Sequence, residues 1–280
     1  MVNDTLIQLR PLVSVILPTG GASTIDDQLA ALAGQVMAPP FEVIVVANRC
    51  PAAAEPLARR WEGRLDIRVV RADLRAGVAY ARNVGVAAAA GQKLLFVDDD
   101  DIVSENYVAT MAQALERSSA AGAKIDLERL NPGWRARVRD VPQAGNLGEL
   151  QDFAYGATLG VRREVAERIG PFDERLDGLA AEDVEWCRRL LAAGETLAFV
   201  PDAVVHYRLR TRYRDLLRQG YRYGRGGQMV APTWDGWTRW SRTLLGAVRL
   251  LMLGRDKGER RRGAFLIGRR LGAASERHRA

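Results

Sequence analysis

A chain of 280 residues with 48% hydrophobic content holds enough apolar material for one large domain, or one domain with an appendage, around an ordinary globular core. Two cysteines, Cys50 and Cys187, exclude a disulfide framework and make a reducing, cytoplasmic compartment the default. The net charge of +7 is unevenly placed: residues 211–280 carry 17 Lys plus Arg against 5 Asp plus Glu (+12), and the remaining residues carry 24 against 29 (−5). Such a basic segment seeks phosphates, of nucleic acid or of anionic lipid.

In chain order, residues 1–11 hold no long apolar run of the kind a leader peptide needs. Val13 to Leu17 reads as a first strand, ended by Pro18 and the turn residues Gly20 and Gly21. Asp26 to Gln35 reads as a helix, Phe41 to Val46 as a buried strand, Glu55 to Trp61 as a helix and Ile67 to Val70 as a short strand. Gly77 to Ala90 is an alanine-rich helix stopped by Gly91. Lys93 to Val97 is a strand, and Glu105 to Ser118 is an amphipathic helix. This alternation predicts an α/β fold with a mostly parallel sheet flanked by helices.

Residues 131–153 are poorly patterned and read as a loop region bordering a site. Tyr155 to Val161 is a strand, Arg163 to Ile169 a short helix, and Pro171 to Ala180 a loop. Glu182 to Ala192 is a helix, and Leu197 to Val200 a strand followed by Pro201, Asp202 and AVVHY. Beyond Arg210 the composition turns to arginine, aromatics and glycine. A division follows: 1–210 as a catalytic body and 211–280 as a basic, aromatic-rich helical extension. Leu244 to Leu253 is too short to span a bilayer and is broken by Arg249.

The most informative feature is Asp98 to Asp101, four carboxylates directly after the apolar run Leu94 to Val97. Open α/β sheets place ligands at the carboxyl ends of their strands. In extended geometry Asp98 and Asp100 project to the same side. Mg²⁺ or Mn²⁺ would relieve the mutual repulsion of such a group. A solvated acidic turn capping the next helix is the alternative.

Four stretches in order carry a family resemblance: VSVILPT at 13–19, RAGVAYARNVGVAAAAGQKLLFVDDDD at 75–101, the segment GPFDERLDGLAAEDVEWCRRLLAAG starting at Gly170, and VPDAVVHY at 200–207. Over about residues 12–210 the chain resembles a family 2 glycosyltransferase of GT-A fold. The resemblance implies a Rossmann-like mostly parallel sheet and an inverting transfer of sugar from a nucleotide-diphosphate donor to an acceptor hydroxyl, with Mn²⁺ or Mg²⁺ as cofactor. It implies Asp100 as a direct metal ligand, Asp98 on the metal or the ribose, and His206 completing the metal shell. Asp183 is implied as general base, with Glu182 beside it on the acceptor. Pro18, Thr19, Asn48, Arg82, Asp98 and Asp99 form the implied donor-binding set, with Arg82 on a donor phosphate or, alternatively, in an ion pair with the aspartates.

The chain departs from the family at VVANRC, where Ala47 stands in place of a base-reading aspartate and Asn48 follows. A UDP-sugar remains the expected donor. A nucleotidyltransferase would share the paired acids, but no Lys or Arg accompanies the glycines after the first strand. The basic extension interleaves Tyr213, Tyr221, Tyr223, Trp234, Trp237 and Trp240 with arginines, which suits stacking on bases, yet it forms no known reading module. No nucleic-acid partner is expected. A sugar-binding relative without activity is the third alternative, and the intact acid sets argue against it. Within Trp237 to Leu253, Trp240, Leu244, Val248 and Leu251 recur at helical spacing with Arg239, Arg242 and Arg249. That pattern suits either an anionic membrane surface at the inner face and a lipid-linked acceptor, or packing on the body.

Overall fold

The computed structural model describes residues 11–131, 133–138, 141, 153–230 and 237–277. Among the described residues eight strands form one sheet: β1 (Val13–Thr19), β2 (Phe41–Ala47), β3 (Asp66–Arg71), β4 (Lys93–Phe96), β5 (Ile102–Val103), β6 (Ala120–Asp126), β7 (Leu159–Arg162) and β8 (Leu197–His206). Their spatial order is β3-β2-β1-β4-β7-β6-β8-β5. Neighbours pair in parallel except at β4–β7, β6–β7 and β5–β8, so β7 and β5 alone run against the rest. The expected α/β class and mostly parallel sheet are what the chain adopts.

The apolar runs are continuous because both faces of the sheet are covered. Val13, Val15 and Leu17 of β1 face one core with Val43, Val45 and Leu95, under α1 (Ile25–Ala33) and α4 (Tyr107–Ala114). Ile16, Ile44, Val46, Leu94 and Phe96 face the other, with residues of α3 (Val78–Ala88) and α6 (Glu182–Ala192). The layer is completed by α2 (Pro51–Arg59) and α5 (Arg163–Ile169). Helix α2 starts at Pro51, four residues before the expected Glu55, because proline is well placed at a first helical position.

Strand β5 was not expected, β7 begins at Leu159 and not at Tyr155, and two further strands differ from expectation. The segment AAGAKID of β6 carries too few branched residues to announce a strand, and it is held between β7 and β8 by pairing. Strand β8 continues past Pro201 to His206. A register shift between Ala123 and Lys124 moves the partner from Val200 to Val204, so the proline, which has no N–H to give, sits in a bulge.

Beyond β8 come α7 (Tyr213–Val230), α8 (Trp237–Leu253) and α9 (Lys257–Arg277). Helices α7 and α9 approach backbone to backbone: a side chain on Gly220 or Gly224 would strike α9, and one on Gly268 or Gly272 would strike α7. The far end of α7 reaches the body, where Val230 packs with Leu176, Leu179 and Ala181 just before α6. So α7 packs on the body, whereas α8, the segment for which packing on the body was one of two alternatives, rests on α9. The side chains of Trp237, Arg239, Trp240 and Arg242, along with Trp234 and most of 139–152, lie outside the described residues.

Candidate active site

Strand β4 is buried along its whole length and delivers Asp98–Asp101 to the carboxyl edge of the sheet. Oxygens of Asp98, Asp100 and Asp101 all lie within 4.8 Å of one another. Desolvation, then the charges of Asp98 and Asp99, push Asp100 up to about 6. Desolvation, then Asp100 and Asp98, hold Asp101 well above the usual carboxylate range. Asp101 is fully buried. One of its oxygens accepts the Arg208 N–H at 2.8 Å, and the other has no hydrogen-bond partner among the described residues. An all-oxygen group whose charges resist one another, with a buried oxygen left without a partner, fits a hard divalent cation such as Mg²⁺ or Mn²⁺. Asp99 turns away from the group: its carboxylate accepts the Thr19 hydroxyl at 2.5 Å, and its carbonyl accepts Thr24 Oγ1.

The second acid pair opens α6. Asp183 accepts the Gly156 N–H at 2.9 Å and the Val184 N–H at 2.8 Å. Desolvation, then the neighbouring charge of Glu182, push it up to about 6. Glu182, only 4% exposed, accepts Arg82 Nη1 at 2.8 Å. Arg82 is 3% exposed and extends its other nitrogen, Nη2, to Asp98 at 3.3 Å. One guanidinium thus bridges the two acid groups. It lies over the Phe172 ring, which in turn packs against Phe96 and Trp186.

The Ala-Arg-Asn-x-Gly run of α3 now has a physical account. Arg82 points into the site. Asn83 clasps the loop before α6, donating to the Phe172 carbonyl and to Glu174 while accepting the Phe172 N–H. Gly85 allows α3 to lie close on β1, since a side chain there would overlap Ile16. Asp177 caps α3 from a distance of almost a hundred residues, accepting the Ala79 and Tyr80 N–H groups. Gly156 must lack a side chain as well, because one would overlap the Arg82 guanidinium.

Three expectations change. Arg82 is not free to reach a donor phosphate, because it is buried between Glu182 and Asp98; the alternative of an ion pair with the aspartates is what the chain forms. Asn48 does not present its amide as a base reader: its nitrogen donates to the Ala72 and Arg75 carbonyls and its oxygen accepts the Gly77 N–H, which ties β2 to the loop before α3. His206 is not brought into the carboxylate group. Its Nδ1 pairs with Asp126 at 2.7 Å, directly across the β6–β8 ladder. Pro18 is a partly buried residue of β1 opposite Val46.

A cleft beside Asp99 and Asp100 is lined by Gly20, Gly21, Arg208, Arg210 and Arg212. Arg208 is fixed by its backbone bond to Asp101 and by its side chain on the Asp100 carbonyl at 2.9 Å. Arg210 lowers the proton affinity of Asp100. The signal for these residues was the alternating RLRTR at 208–212, which a boundary drawn at 210 divides between body and extension.

A family model described as Glycosyltransferase like family 2 matches residues 11–226. Glycosyltransferase AglE of Haloferax volcanii is 27% identical over 224 residues, covering 77% of this chain and 73% of that protein. Validoxylamine A glucosyltransferase of Streptomyces hygroscopicus subsp. limoneus is 29% identical over 222 residues, covering 66% of this chain and 49% of that protein. The chain therefore spans about half of the second relative's length. Among solved structures, the mannosyltransferase PcManGT of Pyrobaculum calidifontis, in complex with GDP-Man and Mn²⁺, superimposes with a TM-score of 0.60 at 19% identity, covering 92% of this chain and 74% of that one. TarS 1-349 of S. aureus in complex with UDP gives 0.57 at 17% identity, covering 96% and 92%. These likenesses show a GT-A-like fold.

Proposed function

The chain belongs to glycosyltransferase family 2, and we propose that it moves a sugar, with inversion, from a nucleotide-diphosphate donor to an acceptor hydroxyl. The observation that carries this reading is the meeting of two differently treated acid groups across one arginine. A divalent cation held by Asp98 and Asp100, with Asp101 beside them, would supply Lewis-acid neutralisation of the leaving diphosphate. Arg210 and Arg212 flank the same cleft and suit diphosphate oxygens, which guanidinium groups bind bidentately, while Arg208 is held by the Asp100 carbonyl and Asp27. The solved relatives carrying GDP-Man and UDP support a nucleotide-linked donor of this kind.

On the other side, Asp183 takes the proton from the acceptor hydroxyl as the new glycosidic bond forms. A value near 6 suits this role: the carboxylate is charged at neutral pH yet basic enough to accept a proton. Its two backbone hydrogen bonds hold it in place, and Glu182, tied to Arg82, lines the acceptor side. A single displacement by one base inverts the anomeric centre. Donor contacts near Thr19 fall to backbone groups of Gly20 and Gly21, since the Thr19 hydroxyl is committed to Asp99. With Asn48 also committed, uridine is the expected base on the family resemblance alone. The basic C-terminal helices suit an acceptor displayed at an anionic membrane surface.

The test is hydrolysis and transfer with a panel of nucleotide sugars in the presence of Mn²⁺. Cleavage of one donor with release of nucleoside diphosphate, and a product anomer opposite to the donor's, is expected. No cleavage of any nucleotide sugar, or retention of the anomer, would overturn the reading.

A further inference from the structure

Helix α8 is apolar on two sides. Its inner side rests on α9 through Ala247, which is 1% exposed, and through the backbone of Leu251 against Gly263. Its outer side carries Leu245 at 68%, Met252 at 69% and Leu253 at 73% exposed, with Val248 beside them. At about 100° per residue these four and Arg249 fall on one continuous outward arc. Four large apolar side chains on one helix face form a patch of the kind that marks an interaction surface.

Charge decides what covers it. The sequence of α8 has arginines at 239, 242 and 249 and no Asp or Glu. Arg255, just past its end, has a side chain 91% exposed. A second copy would set one +12 segment against another, which disfavours self-association. An anionic lipid surface answers both features: the apolar side chains enter the acyl boundary while arginines meet lipid phosphates. No helix among the described residues is long and apolar enough to cross a membrane. We infer that the outward face of α8 seats this enzyme on an anionic bilayer, lying along the surface through Leu245, Val248, Met252 and Leu253. This rests on the reading of the C-terminal helices as the membrane-contacting part. Helix α7 follows directly from the arginines of the cleft and is locked to α9, so docking through α8 fixes the cleft relative to the lipid surface.

The experiment is vesicle co-sedimentation of the full chain, using phosphatidylcholine alone and with about 30% phosphatidylglycerol added. The variants are Leu245→Glu/Met252→Glu and the milder Leu245→Ser/Met252→Ser, all at exposed positions. The wild type is expected to partition onto the anionic vesicles, less so as salt rises from about 0.1 M to about 0.5 M. The Glu pair should weaken partition by about tenfold or more and the Ser pair by less, since each removes apolar area that the bilayer would cover. Hydrolysis of the donor in solution should be unchanged in both. Undiminished binding by the variants would overturn the assignment of α8 while leaving membrane contact standing. No binding by the wild type would overturn both. A dimer in light scattering that the variants abolish would make a second copy the occupant. Donor hydrolysis reports on the transferase reading independently of all three.

Discussion

The two acid groups of the cleft are built from the same residue types, yet their charges are met in different ways. At the end of β4, Asp98, Asp100 and Asp101 crowd within 4.8 Å, and one buried oxygen of Asp101 has no partner among the described residues. At the start of α6, both oxygens of Asp183 accept backbone N–H groups, and Glu182 accepts from both Arg82 and the Ala181 N–H. On the proposed reading, the carboxylates with few donors around them are completed by a cation, and the one held by backbone donors serves as the base. The number of hydrogen-bond donors in reach, and not the presence of acids, would then separate the two roles.

Substitution of the base should cost the most activity. Asp183→Asn should lower turnover by about 10²- to 10⁴-fold, with donor affinity unchanged, because the base acts on the acceptor. Turnover close to wild type would move the base to Glu182. Asp100→Asn comes next, with a loss on the order of 10³-fold and an apparent metal requirement shifted to higher concentration. Chelation should silence the wild type, and added Mn²⁺ or Mg²⁺ should restore it. Full turnover by metal-free enzyme would end the account of the donor side.

Gly156→Ala tests the bridge between the two sides. The new methyl group overlaps the Arg82 guanidinium and displaces it from Glu182 and Asp98. Activity should fall by roughly 10- to 100-fold, the scale of a misplacement of about 1 Å. A variant as active as the wild type would show that the bridge does not position the acids.

The smallest effect sharpens the comparison by pH. Asp183 must be unprotonated to act, and its proton affinity is raised to about 6, so activity should rise with pH through about 6 and fall below it. Asp100 also titrates near 6, but a bound cation repels its proton. At saturating Mn²⁺ the remaining acidic limb should therefore belong to Asp183 and disappear in Asp183→Asn. A profile flat down to about pH 4 at saturating metal would contradict this.

Much of the site was legible because strands and acids follow one another closely in sequence. The run LLFV before four aspartates identifies a buried strand with a charged end, and Glu182–Asp183 open a helix that the structure reproduces at Glu182–Ala192. What was not legible depends on contacts far apart in the chain. The fate of Asn48 is set by carbonyls at 72 and 75, that of His206 by Asp126 on another strand, and that of Arg82 by Glu182, a hundred residues away. Strand β6 was silent for the same reason: its alanines and glycine have weak strand preference, and its neighbours impose the conformation. The cleft arginines were in plain view in the sequence, but a boundary placed at 210, where the family motifs end and the composition changes, divided them.

On the proposed reading the acids after β4 hold the cation, and the acids that open α6 do not. Calorimetric titration of Mn²⁺ into wild type, Asp100→Asn and Asp183→Asn at neutral pH tests it directly. Mn²⁺ binding should collapse in Asp100→Asn and persist in Asp183→Asn, although both enzymes are impaired. Equal loss in the two variants, or undiminished binding in Asp100→Asn, would contradict it.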